Sequence, residues 1–76
     1  MDRRLKAYSY DAEFLRMLCK EFNVEIVYHR FDLDEDNIGV IEYKLSGENA
    51  LFISFIYDRL LQNRKKLEDI YGRVVQ

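Results

Sequence analysis

The sequence predicts a small α+β domain of order α-β-β-β-α, a three-stranded antiparallel meander with one helix before it and one after. Three observations carry that expectation. Residues 11–21 place apolar side chains at helical spacing, residues 24–31 and 38–45 alternate apolar with polar as strands do, and Ala50 to Tyr57 reads Ala-Leu-Phe-Ile-Ser-Phe-Ile-Tyr, apolar on nearly all sides.

The first eight residues read as a basic arm, with Arg3, Arg4 and Lys6 against Asp2. Ser9 or Asp11 then suits a helix N-cap, and Asp11 and Glu13 stand where the helix dipole favours negative charge. At 100° per residue Ala12, Leu15, Leu18, Cys19 and Phe22 share one stripe, with Glu13, Arg16 and Lys20 opposite. Phe14 falls at the edge of that stripe and Met17 on its polar side, so both are apolar surface without a use inside a monomer.

Asn23 breaks the helix. In the first strand Val24, Ile26 and Tyr28 face one way and Glu25, Val27, His29 and Phe31 the other. The acidic run 32–37 is a turn, as Asp and Asn favour. In the second strand Gly39, Ile41, Tyr43 and Leu45 share one face, and Ser46-Gly-Glu-Asn49 is a connection of hairpin length. Ala50–Tyr57 becomes the third strand, since β-branched and aromatic residues pack well on a pleated sheet. Asp58 caps a final helix lined by Leu60, Leu67, Ile70, Tyr71 and Val74, Gly72 ends it, and residues 73–76 form a flexible tail. The alternative is α-β-β-α with a long C-terminal helix from about residue 47, in which Ile53, Ile56, Leu60, Asn63, Leu67, Ile70 and Val74 follow heptad spacing.

A chain of 76 residues forms one domain, 1–76, with one modest core. About half the residues are apolar and a third charged, which is a globular composition. The longest apolar run is far short of the ~20 residues that span a bilayer, the N-terminus has no apolar signal region, and a lone Cys19 fits a reducing compartment. The expectation is therefore a cytoplasmic protein without membrane contact. A formal charge of −2 supplies no global attraction to nucleic acid or anionic lipid.

Candidates for chemistry are few. Asp32, Asp34, Asp36 and Glu42 resemble positions of an EF-hand calcium loop, but Asn37 stands where that loop needs Gly, Tyr43 at its closing position, and the flanks read as strands. An acidic solvated turn accounts for them. Cys19 and His29 are the one thiol and the one imidazole; Cys19 lies on the apolar helix stripe, where a thiol is inert, and a single Cys with a single His cannot hold zinc. No glycine begins a phosphate-cradling motif, so no cofactor or enzymatic activity is expected.

The order α-β-β-β-α resembles, in topology and length, the double-stranded-RNA-binding domain. Asp58-Arg59-Leu60-Leu61 stands where that family has its lysine cluster, and without proline the chain has no Gly-Pro-x-His loop. Arg59, Arg64, Lys65 and Lys66, joined by Arg3, Arg4 and Lys6, are the residues that would meet phosphates. Local pairing explains two of them more simply, Arg64 with Glu68 and Lys65 with Asp69.

What stands out is apolar surface on both faces of the third strand. The sequence thus points to a non-enzymatic protein–protein interaction module, self-associating as a homodimer and acting as a small regulator or adaptor. Phe52, Ile53, Phe55, Ile56 and Tyr57 are expected in the contact, with Phe14 and Met17 at its margin. A nucleic-acid-binding regulator is the alternative.

Overall fold

A computed structural model describes residues 2–75. In chain order it contains β1 (Asp2–Tyr8), a 3-10 turn (Ser9–Asp11), α1 (Ala12–Glu21), β2 (Glu25–Leu33), β3 (Gly39–Ser46) and α2 (Ala50–Val74). The class is the expected one, α+β with a three-stranded antiparallel sheet and two helices. The strand order is β1-β3-β2, with β3 antiparallel to both neighbours. β1 and β2 therefore run parallel on either side of β3, a split β-α-β unit crossed by α1.

Two segments differ from the sequence reading. Residues 2–8, the presumed basic arm, supply the third strand: Leu5 pairs with Tyr43 and Ala7 with Ile41, and both Leu5 and Ala7 are buried. Ala50–Tyr57 is instead the start of α2, as in the long-helix alternative. Only Ala50, Ile53, Ser54 and Tyr57 of that run are buried, at the i, i+3, i+4 and i+7 spacing of one helical face, while Leu51, Phe52 and Phe55 are exposed. The element order is thus β-α-β-β-α, and the topological likeness to the double-stranded-RNA-binding domain does not hold. Asp58 lies inside α2 and caps nothing; α2 continues through Gly72 to Val74, so residues 73 and 74 are helical, and Gln76 lies outside the described residues.

Both helices cover the sheet face that carries Leu5, Ala7, Ile41, Tyr43 and Leu45. Leu15 and Cys19 from α1 and Ile53 and Tyr57 from α2 close the core over them. The opposite face follows from strand alternation: Arg4 and Lys6, Glu42 and Lys44, and Tyr28 and Arg30 project there. It is a charged face, with Glu42 3.8 Å from Arg4 and 3.9 Å from Arg30, and Lys44 3.5 Å from Asp2. The surplus apolar sheet surface inferred for Ala50–Tyr57 is absent, because that segment is helical, whereas the apolar surface of the first predicted strand remains: Val27, Tyr28, Phe31 and Leu33 of β2 are exposed. A register shift between Ile26 and Tyr28 bulges Val27 out of β2 and blunts that sheet edge.

Two joints set the direction of α2. Asn23, at φ 55°, ends α1, and Val24 N–H donates to Cys19 O at 2.8 Å. Gly47, at φ 139°, turns β3 into α2 in a conformation closed to L side chains. Asn49 Nδ2 then donates to Phe22 O at 3.1 Å, and the Phe22 and Phe52 rings meet edge to face at 5.2 Å. The start of α2 thus lies against the end of α1, and the two helices run antiparallel.

Candidate interaction surface

The most closely bonded cluster of the molecule sits where β1 passes into α1. Asp11 is 4 % exposed. Its carboxylate accepts two hydrogen bonds from the Arg64 guanidinium, Nη1 to Oδ2 and Nη2 to Oδ1, both at 2.7 Å. The Tyr57 hydroxyl also donates to Oδ2 at 2.7 Å, and itself accepts the Tyr8 backbone N–H at 3.0 Å. Tyr10 stacks on Tyr8 with centroids 5.1 Å apart, and the Arg64 guanidinium lies 5.5 Å from the Tyr10 ring centre.

The electrostatics follow the geometry. The two Arg64 hydrogen bonds hold the Asp11 carboxyl below its ordinary value, against a burial that would raise it. Burial, then the bond to Asp11, raises the Tyr57 hydroxyl, so it stays a donor. Both carboxylate oxygens are taken up within the fold, and the group has no face open to a substrate. The cluster is a clamp between α2 and the β1–α1 corner, chemically closed.

Beyond the clamp α2 leaves the body. Leu60, Leu61 and Arg64 are half-buried, whereas from Lys65 to Val75 every residue except Gly72 is exposed. These last three turns project about 15 Å at 1.5 Å per residue. Leu67, Ile70, Tyr71 and Val74 line one side of the projection, and Leu67 and Val74 are 66 % and 77 % exposed. The stripe continues the row Phe52, Ile56 and Leu60, which begins where Phe52 meets Phe22 at the end of α1 and runs back toward the start of α1. Helices this long carry such a stripe when it has something to pack on; α1 begins beside the Arg64 clamp, so the ten residues of α2 beyond it have no neighbouring helix among the described residues.

The residues singled out from the sequence are divided by the fold. Ile53 and Tyr57 lie in the core of the chain itself, Ile56 is half-buried, and Phe52, Phe55, Phe14 and Met17 are exposed on the helical layer. Of the cations, Arg64 is engaged by Asp11 and not by Glu68, and Arg4 lies beside Glu42. Arg4 and Lys6 sit on the open sheet face, Arg3, paired with Leu45, falls on the other face of β1, and Arg59, Lys65 and Lys66 sit on α2, so the predicted basic arm is itself divided and does not join Arg4 and Lys6 to the α2 cations in one surface. Asp34 is occupied locally: its Oδ1 accepts the N–H groups of Asp36 and Ile38, each at 2.9 Å, closing the β2–β3 turn. The Cys19 thiol is buried in the core, where desolvation raises its pKa, and His29 is exposed on β2 with its ring 6.5 Å from that of Tyr43. Among the described residues no helix is long and apolar enough to cross a membrane.

No family model, curated protein or solved structure matches this chain. Its functional reading rests on its own geometry.

The sequence contained one overlooked sign of the clamp. Arg64 falls on the same helical row as Ala50, Ile53 and Tyr57, so a charge stands on the buried face of α2 and needs a buried partner.

Proposed function

We propose that the chain is a non-enzymatic protein–protein interaction module whose contact surface is the projecting C-terminal half of α2. The exposed stripe of Leu67, Ile70, Tyr71 and Val74, on a helix clamped at Arg64, carries this reading. A rigidly held helix meets its partner with its ordering entropy already spent, which favours recognition of the helix-in-groove or helix-pair kind. The role that suits such a module is that of a small regulator or adaptor.

Photo-cross-linking in the native cell tests it. A benzophenone side chain at Leu67 should give a discrete protein adduct, and the same group at Lys6, on the open sheet face, should not. An adduct at twice the chain mass identifies the homodimer; absence of any adduct from position 67 refutes the reading. Nucleic-acid binding is the second reading, supported by Arg59, Lys65 and Lys66, all exposed along α2. It requires affinity for an oligonucleotide that falls steeply with salt.

A further inference from the structure

The charges along the edges of the α2 stripe indicate what covers it. Ile56, Leu60, Asn63, Leu67, Ile70 and Val74 follow alternating steps of four and three, the spacing with which one helix offers a seam to another. In that register the residues flanking the seam are Arg59, Lys66 and Arg73 on one edge, and Tyr57, Arg64 and Tyr71 on the other. Asp58, Glu68 and Asp69 all fall away from it. Every charged residue beside the seam is therefore a cation, and beyond the clamp Lys66 and Arg73 stand exposed next to Leu67, Ile70 and Val74.

We infer that the projecting half of α2 binds an acidic amphipathic helix of another protein, its apolar row on Leu67, Ile70 and Val74 and its carboxylates against Lys66 and Arg73. This rests on the reading of that segment as the contact surface and names the partner it takes. A second copy fits less well. Antiparallel pairing sets the Lys66 and Arg73 edge of one copy against the same edge of the other, and parallel pairing sets Arg59 and Lys66 against Arg64 and Tyr71. Neither places opposite charges across the seam, and like charges there act against association. Phosphates would satisfy the cations while leaving the apolar stripe uncovered.

The test is titration of the full chain with a synthetic helical peptide carrying Leu along its seam and Glu along both edges, beside a matched peptide with Lys at the edges. The Glu peptide should bind about tenfold or more tightly than the Lys peptide, and Lys66→Glu with Arg73→Glu should reverse the preference. Leu67→Ser should weaken binding with the melting temperature unchanged, since that side chain lies outside the core. Equal binding of the two peptides overturns the inference. If neither binds while light scattering gives a doubled mass that Leu67→Ser restores to monomer, the occupant is a second copy and the contact-surface reading survives. If an oligonucleotide or anionic vesicles bind instead and Leu67→Ser has no effect, both readings fall.

Discussion

Replacing Arg64 with Met removes the guanidinium and keeps most of the aliphatic stem, leaving the Asp11 carboxylate with the Tyr57 hydroxyl as its remaining side-chain donor. Breaking a fully buried ion pair by removing one partner costs about 3–5 kcal/mol. The Arg64 side chain is 38 % exposed, so water can enter where it stood, and the cost falls to ~2–3 kcal/mol. A core of this size supplies about 3–5 kcal/mol in all, so about 40 % of the stability or more is at stake. At 4–8 °C per kcal/mol the melting temperature should drop by roughly 10–20 °C. The pH dependence makes the test sharper. In the native chain Asp11 is depressed, so its contribution is present above the unfolded value near ~3.9 and is lost as pH falls through the folded value. Without Arg64 the hydrogen bonds that depress Asp11 most are gone, so the stability lost on acidification shrinks. Melting followed by circular dichroism between about pH 3 and 6 should therefore show a shallower pH dependence in Arg64→Met than in the native chain. The exposed neighbour Lys65→Met should stay within about 0.5 kcal/mol of the native chain. A loss under about 3 °C, or an unchanged pH dependence, would refute the clamp as an energetic element.

The Ser54 hydroxyl is buried without a hydrogen-bond partner, so Ser54→Ala should stabilise by about 1 kcal/mol, read as a higher urea midpoint at unchanged m-value. Gly47→Ala should destabilise by more than about 1 kcal/mol, because Cβ is strained at φ 139° and would lie 3.3 Å from Asn23 O; an unchanged midpoint would count against that turn. Gly72→Ala meets nothing within 4 Å and sits inside the projecting helix, so it should raise the far-ultraviolet helical signal while leaving the melting temperature of the core nearly unchanged. Raising the pH above about 10 should destabilise the fold, since the unfolded chain then ionises tyrosines that include Tyr57, which folding holds neutral.

Helix α1 and strand β3 were legible because each buries one side only, which leaves a period in the sequence; β2 was legible as a strand but not in its faces, since the bulge at Val27 puts Tyr28 on the face opposite Ile26 and brings His29 and Phe31 to the face of Ile26. The face predicted for β3, Ile41, Tyr43 and Leu45, is the face that packs under the helices. Ala50–Tyr57 was misread for the opposite reason. With apolar residues at nearly every position its period is erased, and what decides it is that β1 already occupies the free side of β3. β1 was hidden by chemistry: Arg3, Arg4 and Lys6 look like a solvated arm until Leu5 finds Tyr43, a partner distant in sequence. The clamp escaped for a related reason. A neighbour rule pairs Arg64 with Glu68 one turn away, whereas the bond formed spans 53 positions to Asp11, and a desolvated partner outcompetes an exposed one.

The clamp is also a fulcrum. α2 is about 37 Å long, held to the body along its first half and pinned by Arg64 just before it leaves. A tilt of ~10° about that point would carry the tip through roughly 2–3 Å over a 15 Å arm, enough to spoil a knobs-into-holes register. Two parallel hydrogen bonds restrain roll as well as tilt, which a single bond could not do, and thereby fix the direction in which Leu67 and Val74 point. A substitution at Asp11, far along the chain from the projecting helix, would therefore act on recognition through the aim of that helix as well as on stability.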